Sequence, residues 1–313
     1  MADSPLDGIL NENDKGGFIF SDGFALCRGD SLEVLKGIAD ESIDCIVTDP
    51  PYFIDGMGNG WNLDDLNRKS QKAAVIGSLP TGMKFDPEQG RMLQDFMLRV
   101  SKEAFRILKP GAFYLSFSQG RLYHRMAVAM EDAGFEIRDM LVWKREGQPK
   151  AFSQDHFVRK MRISEEEKER MLKSLNGRKT PQLKGQSEPI CLAQKPRDGT
   201  FVENWLKHGV GLIDVGQSLD GKFPGTVMDV PKPRGEERKR VQHFTLKPVA
   251  LIEHMVRVFT KEGDVVLDPF MGSGTTGEAC LKSGRRFVGI ELNEEYFKVA
   301  EKRMEESRIL NPE

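Results

Sequence analysis

The sequence predicts an α/β fold built on a mostly parallel sheet, and three observations carry that expectation. Short apolar runs rich in β-branched residues alternate with helical apolar spacing from Phe24 to Trp143. The same alternation resumes at Val241 and runs nearly to the end of the chain. Between them, residues 144–240 lose the pattern and read as an insert. The expected organisation is therefore one α/β domain in two halves, 1–143 and 241–313, around an insert at 144–240.

The elements follow in order. Phe24 to Arg28 reads as a strand, and Gly29-Asp30-Ser31 opens a short helix to Ile38 with Asp30 as N-cap. Ile43 to Val47 is a buried strand. Residues 53–90 form a long, weakly patterned stretch, a length that in a compact domain usually serves function. Leu93, Phe96, Met97, Val100, Ala104, Phe105 and Leu108 space a helix over 91–108, stopped by Pro110-Gly111. A strand at 112–117, a helix at 121–133 with Gly134 beyond its end, and a strand at 135–143 complete the first half. In the insert, Ser164 and Glu167 make a capping box for a helix to Leu175, and Pro189 to Ala193 returns briefly to the sheet. Residues 231–240 read as an exposed basic arm. Lys247-Pro248 then opens a helix to Thr260, with proline where its missing donor costs least. A strand at 264–267, a glycine-rich turn, a helix to Lys282, a strand at 286–290 and a helix capped by Asn293 end the chain.

Composition narrows the function classes. The 313 residues are 39% hydrophobic and 30% charged, as in a soluble protein with a sizeable core. No apolar run reaches the roughly 18 residues of a membrane span, and the polar, acidic first residues read as neither signal peptide nor anchor. Cys27, Cys45, Cys191 and Cys280 are too scattered for a metal site; buried free thiols in a cytoplasmic protein are expected. The net charge of −2 hides an asymmetry, because residues 144–240 hold 21 Lys and Arg against 14 Asp and Glu. A basic insert in an acidic chain points to a polyanion, against the plainer reading of an uneven solvated surface. By local density the candidate contacts are Lys144, Arg145, Arg178, Lys179, Arg238, Lys239 and Arg240.

Two stretches carry chemistry. Thr48-Asp49-Pro50-Pro51-Tyr52 follows the strand at 43–47, and its prolines stiffen the strand end. Asp49 and the Pro50 carbonyl are two acceptors for an exocyclic NH₂ group, and Tyr52 is an aromatic face for a flat base. A strand stopped by an Asx-Pro turn would look the same on this tetrapeptide alone. From Val265 to Glu291 the order is strand, glycine turn, helix, strand, acid. Glu291 falls 19 residues after Gly272, the place of a ribose-binding acid in an adenosine site. Gly272, Gly274 and Gly277 also spell the dinucleotide fingerprint of a dehydrogenase, whereas a P-loop is excluded because no lysine follows the glycines.

With both stretches in hand, the chain resembles the DNA amino-methyltransferases that use S-adenosylmethionine. It looks like their circularly permuted subgroup, in which the catalytic motif precedes the cofactor motif. The matching pieces are Asp49-Pro50-Pro51-Tyr52, the stretch from Asp268 to Thr276, and His243-Phe244-Thr245-Leu246-Lys247-Pro248, covering about residues 24–143 and 241–308. The resemblance implies a Rossmann-like methyltransferase sheet with flanking helices and a target-recognition region as the insert. It implies that Asp268, Phe270, Gly272 and Gly274 hold the methionine and adenosine parts, that Glu291 takes the ribose, and that Lys247 and Thr275 meet the methionine carboxylate. Asp30 matches an adenine contact, and N-capping explains it equally. Asp49, Pro50 and Tyr52 become the catalytic residues. Aspartate at the first motif position fits adenine N6, with cytosine N4 the alternative. The reaction so implied needs duplex DNA with a flipped base and no metal, in a prokaryotic or phage-encoded cytoplasmic enzyme. It leaves room for a cognate restriction enzyme and for a homodimer. A dehydrogenase would leave the Asp-Pro-Pro-Tyr stretch and the basic insert unexplained, and a DNA-binding protein with a dead site would not need both stretches intact.

Overall fold

The computed structural model describes residues 6, 9, 18–52, 87–147, 149, 151–218, 221–233, 235 and 246–310. Its strands are β1 (Phe18–Ser21), β2 (Phe24–Arg28), β3 (Ile43–Thr48), β4 (Leu108–Phe117), β5 (Glu136–Lys144), β6 (Ser187–Gln194), β7 (Val227–Asp229), β8 (Val265–Asp268) and β9 (Arg286–Glu291). Its α-helices are α1 (Ser31–Val34), α2 (Pro87–Ile107), α3 (Tyr123–Asp132), α4 (Asp155–Arg159), α5 (Glu165–Ser174), α6 (Phe201–His208), α7 (Val249–Phe259), α8 (Thr275–Lys282) and α9 (Glu294–Leu310). No helix among the described residues is long and apolar enough to cross a membrane.

All nine strands join one sheet in the order β1-β2-β9-β8-β3-β4-β6-β5-β7. From β2 to β4 every pairing is parallel. β6 runs antiparallel between β4 and β5, and β1 folds back on β2. Alternation along the strands splits the core between the two faces. Ile46, Tyr114, Leu267 and Val288 pack with Leu93, Met97 and Val100 of α2 and Met126 of α3. Phe24, Val47, Leu115 and Phe287 pack with Leu251 and Met255 of α7, Ala279 of α8 and Met304 of α9. All four cysteines are buried and free.

The centre of the sheet decides where a ligand can sit. After β8 the chain crosses through α8 on one face to reach β9; after β3 it crosses through α2 on the other to reach β4. Neighbouring strands that part in opposite directions leave a crevice beyond their carboxyl ends. Asp49 and Asp268 both stand at that crevice.

Several elements differ from the sequence expectation, each for a local reason. The helix expected at 91–108 begins at Pro87, and β4 follows it directly at Leu108. Pro110-Gly111 does not end the helix but lies in a bulge, where the pairing jumps from Ile43↔Leu108 to Cys45↔Phe113. Gly111 has φ +82°, and a Cβ there would lie 2.3 Å from Asn204 Nδ2, so the bulge is shaped for that contact. The helix α6 carries a full capping box, Thr200 with Glu203, and ends at Gly209 with φ +71°. These signals are of the same kind as at Ser164, whose box is also formed. Strand β6 does not merely touch the sheet; it fills the gap between β4 and β5. What rises off the sheet is the β5–β6 connection, which leaves through Arg145 N–H bonded to the Gln186 carbonyl at 2.8 Å. It departs from the same end of the sheet as Asp49.

Candidate active site

The two central strand ends are tied to each other. Thr48, the last residue of β3, donates its hydroxyl to Asp268 Oδ1 at 2.6 Å, across 220 positions of sequence. Asp268 ends β8 and also accepts from Phe270 N at 3.0 Å and from Thr276 Oγ1 at 2.7 Å. It is 3% exposed, and burial pushes its carboxyl up to about 6 against the pull of those three donors. The bond from Thr48 holds the Asp49 backbone at a set distance from the glycine turn.

Asp49 emerges from β3 into a polar cluster. Tyr52 donates its hydroxyl to Asp49 Oδ1, and Lys247 Nζ donates to Asp49 Oδ2 at 2.5 Å. Lys247 is also 2.9 Å from Glu188 Oε1 and stands 4.7 Å from the centre of the Phe117 ring. Tyr52 Oη lies 3.5 Å from the same Glu188 oxygen, and Arg145 Nε lies 3.5 Å from Glu188 Oε2. Burial alone would lower the Lys247 ammonium; the Asp49 and Glu188 carboxylates more than offset it, so its pKa is raised. Burial and the same two carboxylates hold the Tyr52 phenol protonated well above its usual range. The proline-stiffened strand end read from the sequence is present, with Pro50 buried and Tyr52 half-buried.

The second stretch forms the adjoining rim. Gly272 and Gly274 have φ of +52° and +83°, so the chain turns sharply between β8 and α8. Glu291 ends β9 and accepts from Gly272 N at 2.9 Å and Asn293 N at 2.7 Å, one bond on each oxygen. Burial raises its carboxyl, opposed by those backbone donors. Phe270 leans on Phe96 with ring centres 5.7 Å apart. Asp30 is exposed and caps α1 through Leu32 N at 2.9 Å, while Ser31 donates to the Pro269 carbonyl and brings that cap beside the turn. The Thr275 hydroxyl accepts from Arg303 Nη1 at 3.1 Å and keeps its own hydrogen to donate. Gly277 is a packing glycine, since a Cβ there would lie 2.4 Å from Met304 Sδ.

Of the basic candidates, Lys144 pairs with Asp229 at 2.5 Å, and Arg145 faces Glu188 and so flanks the cluster. Arg178 and Lys179 are exposed on the β5–β6 connection. Arg238, Lys239 and Arg240 lie outside the described residues, as do 243–245 and 53–86. The sequence reading missed Glu188, Thr48 and Thr276. A carboxylate opening an otherwise apolar strand run was the available signal for Glu188, because charged residues seldom enter a core unpaired.

The fold and rim define an α/β protein with two adjoining polar sites at the switch point of its sheet, the strand end at Asp49 and the glycine turn at Gly272. The family model described as DNA methylase, of the N6/N4 type, matches residues 43–302. The chain belongs to that family. Among curated relatives, the type II methyltransferase M.HindIII of Haemophilus influenzae is 27% identical, covering 88% of this chain and 94% of its own. The DNA adenine methyltransferase YhdJ of Escherichia coli is 28% identical, covering 90% and 82%. Among solved structures, the PvuII cytosine-N4-specific DNA methyltransferase superimposes with TM-score 0.60 at 19% identity, covering 94% of each chain. The M1.HpyAVI complex with S-adenosylmethionine gives 0.54 at 22%, covering 90% of this chain and 98% of its own. The mostly parallel methyltransferase sheet expected from the sequence is thus found.

Proposed function

We propose that this protein transfers a methyl group from S-adenosylmethionine to the exocyclic N6 amine of an adenine extruded from duplex DNA. The observation that carries the proposal is the Thr48–Asp268 bond of 2.6 Å, which sets the amine-accepting strand end against the glycine turn. Transfer between two bound partners depends above all on such fixed proximity.

The residues present suit the cofactor. Glu291 offers its carboxylate to the ribose hydroxyls, and the turn at Gly272 and Gly274 leaves no side chain between backbone and ligand. The crevice holds Asp49, Glu188, Asp268 and Glu291 against Lys247 and Arg145, an excess of carboxylates that suits a cation. When bound, S-adenosylmethionine supplies an electrophilic methyl group on a sulfonium. Asp49 and the Pro50 carbonyl accept hydrogen bonds from the two amine hydrogens and raise electron density on the nitrogen, which becomes cationic as it takes the methyl group and then loses one proton to water. Tyr52 covers the plane of the base, with Asp30 and Phe270 at the adenine side.

Adenine is favoured by aspartate at the first motif position and by the name of YhdJ. The β5–β6 connection rises from the catalytic end, which supports Arg178 and Lys179 on it, and Lys144 and Arg145 at its root, as phosphate contacts. Arg238 to Arg240 join the proposal on sequence charge alone. The type II relatives support a cognate restriction enzyme as partner and a cytoplasmic setting; a homodimer is part of the same proposal. The test is transfer of a tritiated methyl group to duplex DNA, with digestion to identify the base. N6-methyladenine is the expected product; N4-methylcytosine, or no transfer, contradicts the proposal.

A further inference from the structure

We infer that Glu188 is a positioning residue, a second seat that draws the Lys247 ammonium off Asp49 when Asp49 accepts the target amine. The inference rests on the proposed role of Asp49. It begins from a conflict in the geometry. Both oxygens of Asp49 are engaged, Oδ1 by the Tyr52 hydroxyl and Oδ2 by Lys247 Nζ at 2.5 Å. An ammonium in that place opposes the reaction, because the attacking nitrogen gains positive charge and the carboxylate must answer it. Two like charges within a few ångströms in a water-poor site repel strongly.

Lys247 cannot simply swing into water. Its side chain is 8% exposed, and among the described residues it meets Asp49, Glu188 and the face of Phe117, 4.7 Å from the ring centre. A buried cation deprived of its carboxylate is costly, more than an aromatic face repays. Glu188 removes the obstacle. Its Oε1 already lies 2.9 Å from Nζ, so the ammonium exchanges carboxylates by a small shift and never becomes unpaired. Glu188 is itself held for this: Arg145 stands 3.5 Å from Oε2, and Tyr52 Oη stands 3.5 Å from Oε1. The cluster of Asp49, Glu188, Lys247 and Arg145 is neutral before the base arrives. Once Lys247 sits on Glu188, the charge of Asp49 is left for the amine.

The experiment measures single-turnover methyl transfer in Glu188→Gln, in Lys247→Met, and in the double variant, with cofactor affinity by calorimetry, DNA affinity and thermal midpoint alongside. Glu188→Gln is expected to slow transfer by roughly ten-fold or more, the worth of one charge-assisted bond, while both affinities stay within about three-fold. In the Lys247→Met background the same change has nothing left to position and leaves the rate where Lys247→Met put it. An equal loss in both backgrounds, or no loss in either, overturns the inference. If Glu188→Gln alone does not fold, the double variant restores a neutral cluster, and its rate against Lys247→Met decides. Wild-type transfer to adenine and its loss in Asp49→Ala are recorded in the same series. Failure there refutes the proposed function, whereas a silent Glu188→Gln with those intact refutes only the role of Glu188.

Discussion

Asp268→Asn is predicted to make the protein more stable and less active. Asp268 is ionised at neutral pH in a site that burial has made expensive for charge, its carboxyl standing at about 6 instead of 3.8. The folded state therefore binds more protons than the unfolded one between those two values, and stability falls as pH rises through that window. At ~1.4 kcal/mol per unit, the shift from 3.8 to about 6 costs roughly 3 kcal/mol at pH 8 and about half that at pH 5. An asparagine keeps the local bonds. Thr48 and Phe270 both donate to Oδ1, which the amide retains, and Thr276 can turn its hydroxyl to accept from the new NH₂ group. Urea unfolding of the cofactor-free protein at pH 5 and pH 8 measures the effect. The variant should gain stability at pH 8, gain about half as much at pH 5, and bind S-adenosylmethionine more weakly. A loss of stability at both pH values, or a gain that ignores pH, would refute the reasoning.

Other consequences follow from the same geometry. Glu291→Ala removes a carboxylate whose charge-assisted bonds are worth about 1.5–3 kcal/mol, so calorimetry should show cofactor affinity down roughly ten-fold or more. Gly274→Ala adds a Cβ at φ +83° within 3.0 Å of Ala300 Cβ, and chemical unfolding should report a loss. That loss should exceed the ~1 kcal/mol of an ordinary helix-end glycine substitution. Neutralising Arg178 and Lys179 together should lower the salt slope of DNA binding by up to about two ions and spare cofactor affinity. An unchanged slope would make them a solvated surface.

Much of this arrangement is legible in the sequence. Strands β2, β3 and β9 and helices α3, α5, α7 and α8 follow from apolar spacing and caps, because those signals are local. The order of the two stretches and the acid at Glu291 were equally plain. What escaped was non-local or conflicted. Pro110-Gly111 is a stop signal by propensity, yet tertiary contact with Asn204 turned it into a bulge inside β4. Thr48 shows no reason to matter until Asp268, 220 positions away, is beside it. Glu188 stands out only as a carboxylate at the head of an apolar strand, and its meaning depends on Lys247, Tyr52 and Arg145 arriving from three other parts of the chain. Two misses were local: the capping box and terminal glycine of α6 were in view, and so was the Asp22-Gly23 turn that pairs β1 with β2.

The central claim is that Asp49, at the end of β3, presents an adenine amine to the adjoining methyl-donor site. It is tested most directly by expressing the chain in a host that lacks DNA methylation and sequencing the host DNA with detection of modified bases. Wild-type protein should leave N6-methyladenine at one recurring sequence, and Asp49→Ala should cut that signal by roughly 10²-fold or more, since it removes a contact made to charge developing in the transition state. N6-methyladenine persisting undiminished in Asp49→Ala would contradict the account.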